Sequence, residues 1–116
     1  MKQIVTTIGV RISIEGFHKW ENAIPEVDFL KFKHRHTFII DCEKKVENND
    51  DRKMEFILTK RKVINYLYQR FGEICDFGNM SCETIAAVIR NDLNFDKVTV
   101  SEDGEFWARV EEEIVL

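Results

Sequence analysis

The fold is decided by the stretch HRHTFIIDC, residues 34–42. Polar and apolar residues largely alternate along it, which predicts a half-buried β-strand. Because side chains i and i+2 of a strand point to the same face, His34 and His36 project together. The third and last histidine of the chain, His18, ends another alternating segment. Two histidines on one strand and a third from a neighbouring strand make a three-nitrogen site with one open position, which is typical of catalytic zinc.

The segments around this stretch predict a long pair of antiparallel strands. Residues 4–15 alternate cleanly, and His18 keeps the apolar parity if that strand runs on. Residues 34–46 form the second strand. The segment 19–33 holds the only proline of the chain, together with several large apolar residues, so we expect a loop that packs over another part of the molecule. Residues 47–52 form a polar turn.

Two helices and a second strand pair are predicted in the remainder of the chain. From Thr59, a plausible N-cap, apolar residues recur at helical spacing, and either Gly72 or Gly78 closes this helix. The second helix begins after Ser81, its expected N-cap. Residues 96–102 and 105–113 alternate around Asp103-Gly104, which is a two-residue hairpin signal.

The element order is therefore ββααββ, which predicts an α+β domain. Two helices cover one face of a four-stranded antiparallel sheet. The other face is too polar for a second core, and the long strand edges would stay unpaired in a monomer. Closing several sheets edge to edge into one barrel satisfies both facts, so we expect a homo-oligomer.

Composition bounds the domain count and the class of partner. A chain of 116 residues, 44% of them hydrophobic, favours one domain over 1–116 with a real core. The formal net charge of -4 argues against a nucleic-acid partner. A local basic cluster surrounds the histidine pair and is either an anion-binding surface or a solvated strand edge; it comprises Lys19, Lys31, Lys33 and Arg35.

The cysteine pattern and the hydropathy predict a cytoplasmic protein. Three cysteines, an odd number without CxxC spacing, suit a reducing compartment. Polar residues interrupt the N-terminal apolar segment, so no signal peptide is expected. No apolar run approaches the length of a membrane span, so no membrane partner is expected either.

Five segments, in order, resemble the 6-pyruvoyl-tetrahydropterin synthase and 6-carboxytetrahydropterin synthase family, which has the tunnelling fold (T-fold). They are IEGFH (14–18), HRHTF (34–38), MEF (54–56), SCETIA (81–86) and VTVSE (98–102). The resemblance implies that all three histidines bind one zinc ion. It also implies that Glu102 accepts hydrogen bonds from the amidine-like edge of a pterin, because a carboxylate accepts two parallel N–H bonds. Ser81 and Glu83, at the matching helix start, are the further substrate-binding candidates.

The chain departs from the family pattern at the acid–base positions. The family cysteine before the histidine pair is replaced by Leu30, and no histidine is left for the family's Asp-His pair, whose best match is Asp76-Phe77. Arg35 replaces the middle glycine of the motif, and Cys82 replaces a threonine. Asp76 and Cys82 are therefore the catalytic candidates. Three further residues are alternatives for a lost base or thiol: Cys75, Glu26 and Asp28.

Most of these residues also have a purely structural interpretation. A lone histidine on an apolar face is usually a core residue, and Glu102 could be an ordinary hairpin carboxylate. Glu83 is equally a partner of the helix dipole, and Asp76 a turn residue. Other candidates would simply be buried or packed: Cys42, Cys75, Cys82, Phe106 and Trp107.

Three functions remain open from the sequence. The first is a divergent zinc-dependent lyase of pterin or queuosine biosynthesis, acting on dihydroneopterin triphosphate or a related pterin. The second is a catalytically degenerate module that binds zinc and a pterin- or purine-like ring. The third is a structural oligomer with a relic metal. The resemblance favours the first, as a trimer, tetramer or hexamer.

Overall fold

One mixed sheet with two helices against one face makes up the computed structural model, which describes residues 2–48 and 51–113. The strands follow the spatial order β3-β1-β2-β4-β5. They are β1 (Thr6–His18), β2 (His34–Val46), β3 (Cys75–Asp76), β4 (Lys97–Glu102) and β5 (Phe106–Glu111). The helices are α1 (Phe56–Phe71) and α2 (Cys82–Leu93), and a short 3₁₀ helix covers Pro25–Lys31.

The long antiparallel pair predicted from the sequence is confirmed. β1 and β2 pair over their whole length, from Thr6 opposite Val46 to His18 opposite His34. β1 begins two residues later than predicted and runs on to His18. This histidine lies on the apolar face of the strand, as expected, and is buried. β5 is shorter than the predicted 105–113.

The sheet has five strands, which corrects the predicted four-stranded antiparallel sheet and its ββααββ order. The extra strand, β3, comes between α1 and α2 in the sequence. It pairs with β1 in parallel, with Cys75 opposite Gly16. The pairs β1–β2, β2–β4 and β4–β5 are antiparallel as expected. A strand of two residues is too short to show any periodicity in the sequence, so the pattern could not predict it.

The start of α1 corrects the predicted N-cap at Thr59. The cap is Glu55, whose carboxylate accepts a hydrogen bond from the backbone N–H of Leu58 at 2.9 Å. Of the two predicted glycines, Gly72 closes α1: it follows Phe71 as the C-cap, with a φ of 93° that favours glycine. The predicted cap of α2 is confirmed, since Ser81 Oγ accepts from the backbone N–H of Thr84 at 3.1 Å.

The core lies between the inner face of the sheet and both helices. It is built from alternate residues of β1, β2 and β4 and from the apolar stripes of the helices. The opposite face of the sheet is polar, with Arg11 bound to Asp41 at 2.6 Å. Among the described residues, no helix is long and apolar enough to cross a bilayer.

The segment 19–33 packs over another part of the molecule only in part. None of the residues in its 3₁₀ helix is buried. Phe29 and Phe32 are 69% and 70% exposed. These two aromatic side chains therefore face outward, whereas Trp20 and Leu30 line a cavity described below.

Candidate metal centre and cavity

The three histidines meet at one end of the sheet. His18 is the last residue of β1 and lies opposite His34, the first residue of β2. His36, two residues further, lies opposite Gly16. Glu102, the last residue of β4, lies opposite Phe38. Antiparallel pairing thus brings strand ends that are distant in sequence to a common edge.

The rings form a tight triangle. Their centroids are separated by 4.6 Å for His18 and His34, 5.3 Å for His18 and His36, and 5.0 Å for His34 and His36. One ring nitrogen from each histidine lies within 4.8 Å of the other two. The structure therefore brings together the three histidines that the sequence singled out.

Each ring has its Nδ1 atom engaged by an oxygen. His18 Nδ1 lies 3.0 Å from the carbonyl of Met80, and His34 Nδ1 lies 2.9 Å from the carbonyl of Phe32. His36 Nδ1 lies 2.7 Å from Oδ2 of Asp103. A carbonyl or carboxylate oxygen only accepts, so Nδ1 carries the proton in each neutral ring. The lone pair of each neutral ring is therefore on Nε2, the atom left for a metal.

Two of the Nε2 atoms are orphaned. Within the part of the chain that the structure describes, Nε2 of His18 and of His36 are buried without a hydrogen-bond partner. The carboxylate of Glu102 lies 3.0 Å from the first and 3.5 Å from the second. A neutral Nε2 lone pair would repel this carboxylate, so the close contact requires either a proton or a metal cation between the two groups. This donor set fits a divalent metal, since imidazole suits zinc, copper, iron and nickel.

Glu102 occupies a partly buried position, with its side chain 21% exposed. The Cys82 thiol donates a hydrogen bond to its Oε1 at 3.4 Å. Contact with His18 lowers the pKa of Glu102, although burial opposes that shift. Burial is also the largest influence on the His18 ring and lowers its pKa, but Glu102 and the Met80 carbonyl outweigh it, so that the pKa is raised.

A cavity of about 450 Å³ opens beside the histidines. Two of the predicted metal ligands and four other predicted site residues line it: His18, His34, Ser81, Cys82, Glu83 and Glu102. Its apolar wall is formed by Trp20, Leu30, Met80, Phe106 and Trp107. Leu30, which replaces the family cysteine, thus lies in this cavity.

The three predicted site residues at the start of α2 differ in their contacts. Ser81 is engaged as the N-cap of α2. Glu83 is exposed, and its pKa is lowered by a hydrogen bond to its own backbone N–H and by Ser81. Burial and the nearby Glu102 raise the pKa of Cys82 to about 12, which disfavours its thiolate form. Cys82 is therefore placed as a hydrogen-bond donor to Glu102.

Asp76 lies apart from this group. It does not line the cavity, and its carboxylate accepts from Lys33 at 2.7 Å and from the backbone N–H of Gly78 at 3.0 Å. The Lys33 contact holds the pKa of Asp76 below its usual value. Cys75 is fully buried in the core, and Asp28 is paired with Lys31 at 2.8 Å.

The basic cluster is paired with carboxylates. Beyond Lys33 and Lys31, Lys19 lies 3.1 Å from Glu21, and Arg35 lies 2.8 Å from Glu15. All of these groups are on the surface, where such pairs are weak. The structure therefore supports the interpretation of a solvated strand edge.

Two features of the site were not predicted from the sequence. Asp103, taken as a turn residue, binds His36. Phe106 and Trp107, taken as strand packing, are 68% and 62% exposed at the cavity wall. Phe106 lies directly opposite Glu102 in the β4–β5 pair, which sets its ring beside the carboxylate. The hairpin signal predicted the position of the turn, but it could not predict which residue the side chain of Asp103 contacts.

Comparison with known proteins shows the fold. No protein-family model matches the chain, and no curated protein matches its sequence. The solved structure of 6-pyruvoyl tetrahydropterin synthase from Caenorhabditis elegans is similar over 97% of this chain and 99% of that one, with a TM-score of 0.66 and 15% identity. An uncharacterised protein from Wolinella succinogenes is similar over 96% of this chain and 100% of that one, with a TM-score of 0.65 and 11% identity. The resemblance seen in the sequence thus holds at the level of the fold.

Proposed function

We propose, from this fold and the histidine triangle, that the chain is a divergent zinc-dependent pterin synthase, a lyase of the 6-pyruvoyl- or 6-carboxytetrahydropterin type. The observation that carries the proposal is the convergence of three histidines, each with Nδ1 engaged by an oxygen and with ligand atoms within 4.8 Å of one another, beside the carboxylate of Glu102. Its substrate would be dihydroneopterin triphosphate or a related pterin. Under this proposal, the enzyme would act in queuosine or pterin biosynthesis.

His18, His34 and His36 would hold the zinc ion through Nε2. Bound there, zinc would lower the pKa of a substrate hydroxyl or water in its open position. The oxygens that engage Nδ1 in each ring would fix the ring orientation and leave Nε2 as the ligand atom. Burial of the Nε2 atoms of His18 and His36 would keep competing water away from two of the three nitrogens.

Glu102 would anchor the pterin ring. Its two oxygens can accept two parallel N–H bonds from the amidine edge, and the thiol of Cys82 donates a hydrogen bond to one of those oxygens. Phe106, opposite Glu102, offers an apolar ring face to a planar heterocycle. Ser81 and Glu83 extend the polar side of the same cavity.

A degenerate binding module is the second candidate. The observation that favours it is Leu30, which puts an inert side chain in the cavity where the family pattern has a cysteine. Asp76, the other catalytic candidate, is held by Lys33 outside the cavity lining. Loss of one acid or base group would slow the reaction by about 10²–10⁴-fold.

We place the protein in the cytoplasm as a homo-oligomer. All three cysteines are free thiols, two of them buried, which suits a reducing compartment. The polar outer face of the sheet and its open edges support assembly into a barrel. A trimer, tetramer or hexamer would satisfy both features.

Metal analysis and turnover test the proposal together. Purified protein is expected to hold one zinc per chain, and the variant His34→Ala is expected to lose it. Conversion of dihydroneopterin triphosphate, followed by ultraviolet absorbance, separates the enzyme from the binding module. A zinc-loaded protein that binds pterin without converting it would be the module, and clearly less than one zinc per chain would contradict both.

A further inference from the structure

We propose that Asp103 is a positioning residue of the metal centre, which holds His36 in its ligating orientation and increases the electron donation of that ring to a bound cation. This inference rests on the metal-binding part of the proposed function. Asp103 belongs to the hairpin turn between β4 and β5, far in sequence from the histidines of β2.

The two oxygens of Asp103 serve two different donors. Oδ2 accepts from Nδ1 of His36 at 2.7 Å, and Oδ1 accepts from the backbone N–H of Thr37 at 2.9 Å. The backbone N–H of Asp103 in turn donates to the Thr37 carbonyl at 2.8 Å. Two contacts therefore tie the turn to Thr37, and a third ties it to the ring of His36. The ring of His36 cannot rotate without breaking the shortest of the Nδ1 contacts.

The three histidines differ in the charge of their partner. His18 and His34 donate to neutral carbonyls, whereas His36 donates to a carboxylate. A carboxylate withdraws the Nδ1 proton more strongly, which makes Nε2 of the same ring a better donor to a metal. His36 is thus placed as the strongest of the three nitrogen ligands.

The turn itself does not require a carboxylate. Asp103 has a φ of 55°, and Gly104 follows with a φ of 76°. Asparagine and glycine adopt such angles at least as well as aspartate, so either residue would satisfy the turn. The two side-chain contacts, rather than the backbone, account for an acid at this position.

Asp103→Asn is the matched test. Asparagine suits the backbone angle but keeps one acceptor oxygen, which cannot serve both His36 and Thr37 in the present geometry. In zinc-free protein titrated with Zn²⁺ against a chelating dye, we expect about 10- to 100-fold weaker zinc binding in this variant. Glu105→Gln removes a carboxylate from the same hairpin, away from His36, and is expected to leave zinc affinity unchanged.

Spectroscopy separates positioning from simple support of the turn. The Co²⁺ absorption bands report the ligand field, and they are expected to shift in Asp103→Asn but not in Glu105→Gln. In zinc-free wild-type protein, ¹⁵N spectra are expected to show His36 protonated on Nδ1, a measurement that needs no variant. Equal zinc affinity in wild type and Asp103→Asn, or an Nε2-protonated His36, would overturn the inference.

The same measurements distinguish failure of this inference from failure of the proposed function. A wild-type protein that binds no Zn²⁺ would defeat the metal site as a whole. A wild-type protein that binds Zn²⁺ as tightly as Asp103→Asn does would leave the site intact and defeat only the role of Asp103.

Discussion

Glu102 faces both the histidines and the cavity, and its two environments imply two different roles. Its oxygens lie 3.0 Å and 3.5 Å from Nε2 of His18 and His36, so proximity alone would allow it to act as a metal ligand. The three-nitrogen group within 4.8 Å does not include it, however. Under the proposed function, the carboxylate instead accepts hydrogen bonds from a ligand in the cavity, which it also lines.

The variant Glu102→Gln distinguishes the anchor from a ligand. Removing the charge weakens two charge-assisted hydrogen bonds, so pterin affinity is expected to fall about 10- to 100-fold. Zinc content is expected to stay at the wild-type level. Fluorescence titration with a pterin and metal analysis of the same samples measure both, with Glu105→Gln as the control. Loss of zinc from Glu102→Gln would instead make Glu102 a metal ligand.

Cys42 supplies a pH prediction. Burial is the main reason that its pKa rises to about 12, whereas an unfolded thiol titrates near 8.5. Between those values the unfolded chain loses a proton that the folded chain keeps, so the free energy of unfolding falls as pH rises. The slope is about 1.4 kcal/mol per pH unit for one thiol.

Denaturant unfolding of wild type and Cys42→Ala between pH 8 and pH 11, on zinc-free samples, checks this. Other groups also titrate in that window, so the measured quantity is the difference between the two slopes. The variant is less stable at pH 8 because the substitution leaves a cavity. The difference in the free energy of unfolding between the two proteins is expected to narrow as pH rises. A gap that stays constant would contradict the prediction.

At the residue scale, the histidines were predictable and their supports were not. His34 and His36 lie two apart on a clear strand, and His18 keeps the parity of the first strand, so alternation alone puts them on one sheet face. Asp103 was predictable only as a turn residue. Its contact with His36 depends on the register in which β4 pairs with β2, which no local pattern encodes.

At the scale of elements, the end of β1 packs closely against its neighbours next to the three histidines. A Cβ on Gly16 would lie 2.9 Å from Cδ2 of Phe38 and 3.0 Å from the backbone oxygen of Cys75. The Phe38 ring packs in turn against His18 and His36, with centroids 5.2 Å and 5.7 Å away. The glycine thus lets β2 and β3 approach β1 at the same place.

Gly16→Ala is expected to destabilise the protein by about 1–3 kcal/mol, because neither the Phe38 ring nor the β3 backbone has room to move. Denaturant unfolding of zinc-free protein measures it. Gly9→Ala, on the same strand, is the control: its Cβ would meet the flexible Glu43 side chain at 3.3 Å, so it is expected to be nearly neutral. Equal effects of the two variants would show that Gly16 has no special packing role.

The elements missed in the sequence are those whose signal is local and weak. β3 has two residues, and its strand character comes from pairing with Gly16 and Phe17. α1 begins at Phe56 because the Glu55 side chain caps it. Its first turn nevertheless carries three exposed apolar residues that obscure the helical stripe: Phe56, Ile57 and Leu58.

At the scale of the whole molecule, the sheet has two open edges. Within the described residues, β3 covers β1 only at Gly16 and Phe17, and β5 pairs on one side with β4. Open edges invite pairing with another copy. The exposed aromatic side chains of the segment 19–33 add apolar surface that assembly could also cover.

Light scattering on the purified protein tests assembly. The expected mass is three, four or six times the chain mass of 13.7 kDa, because a closed barrel leaves no edge unpaired. A denatured sample of the same preparation gives the single-chain value for reference. A single-chain mass at micromolar concentration would contradict the proposed barrel.

The length of β1 also has a practical consequence for measuring metal affinity. Its 13 residues separate Thr6 from His18, a span of about 40 Å at about 3.3 Å per residue. The last residue of β5, Glu111, pairs with Lys97 at the same remote end of the sheet. A fluorophore or surface tether attached near Thr6 or Glu111 would therefore sit well clear of the imidazoles, so immobilised protein could be titrated with its histidine end facing the solution.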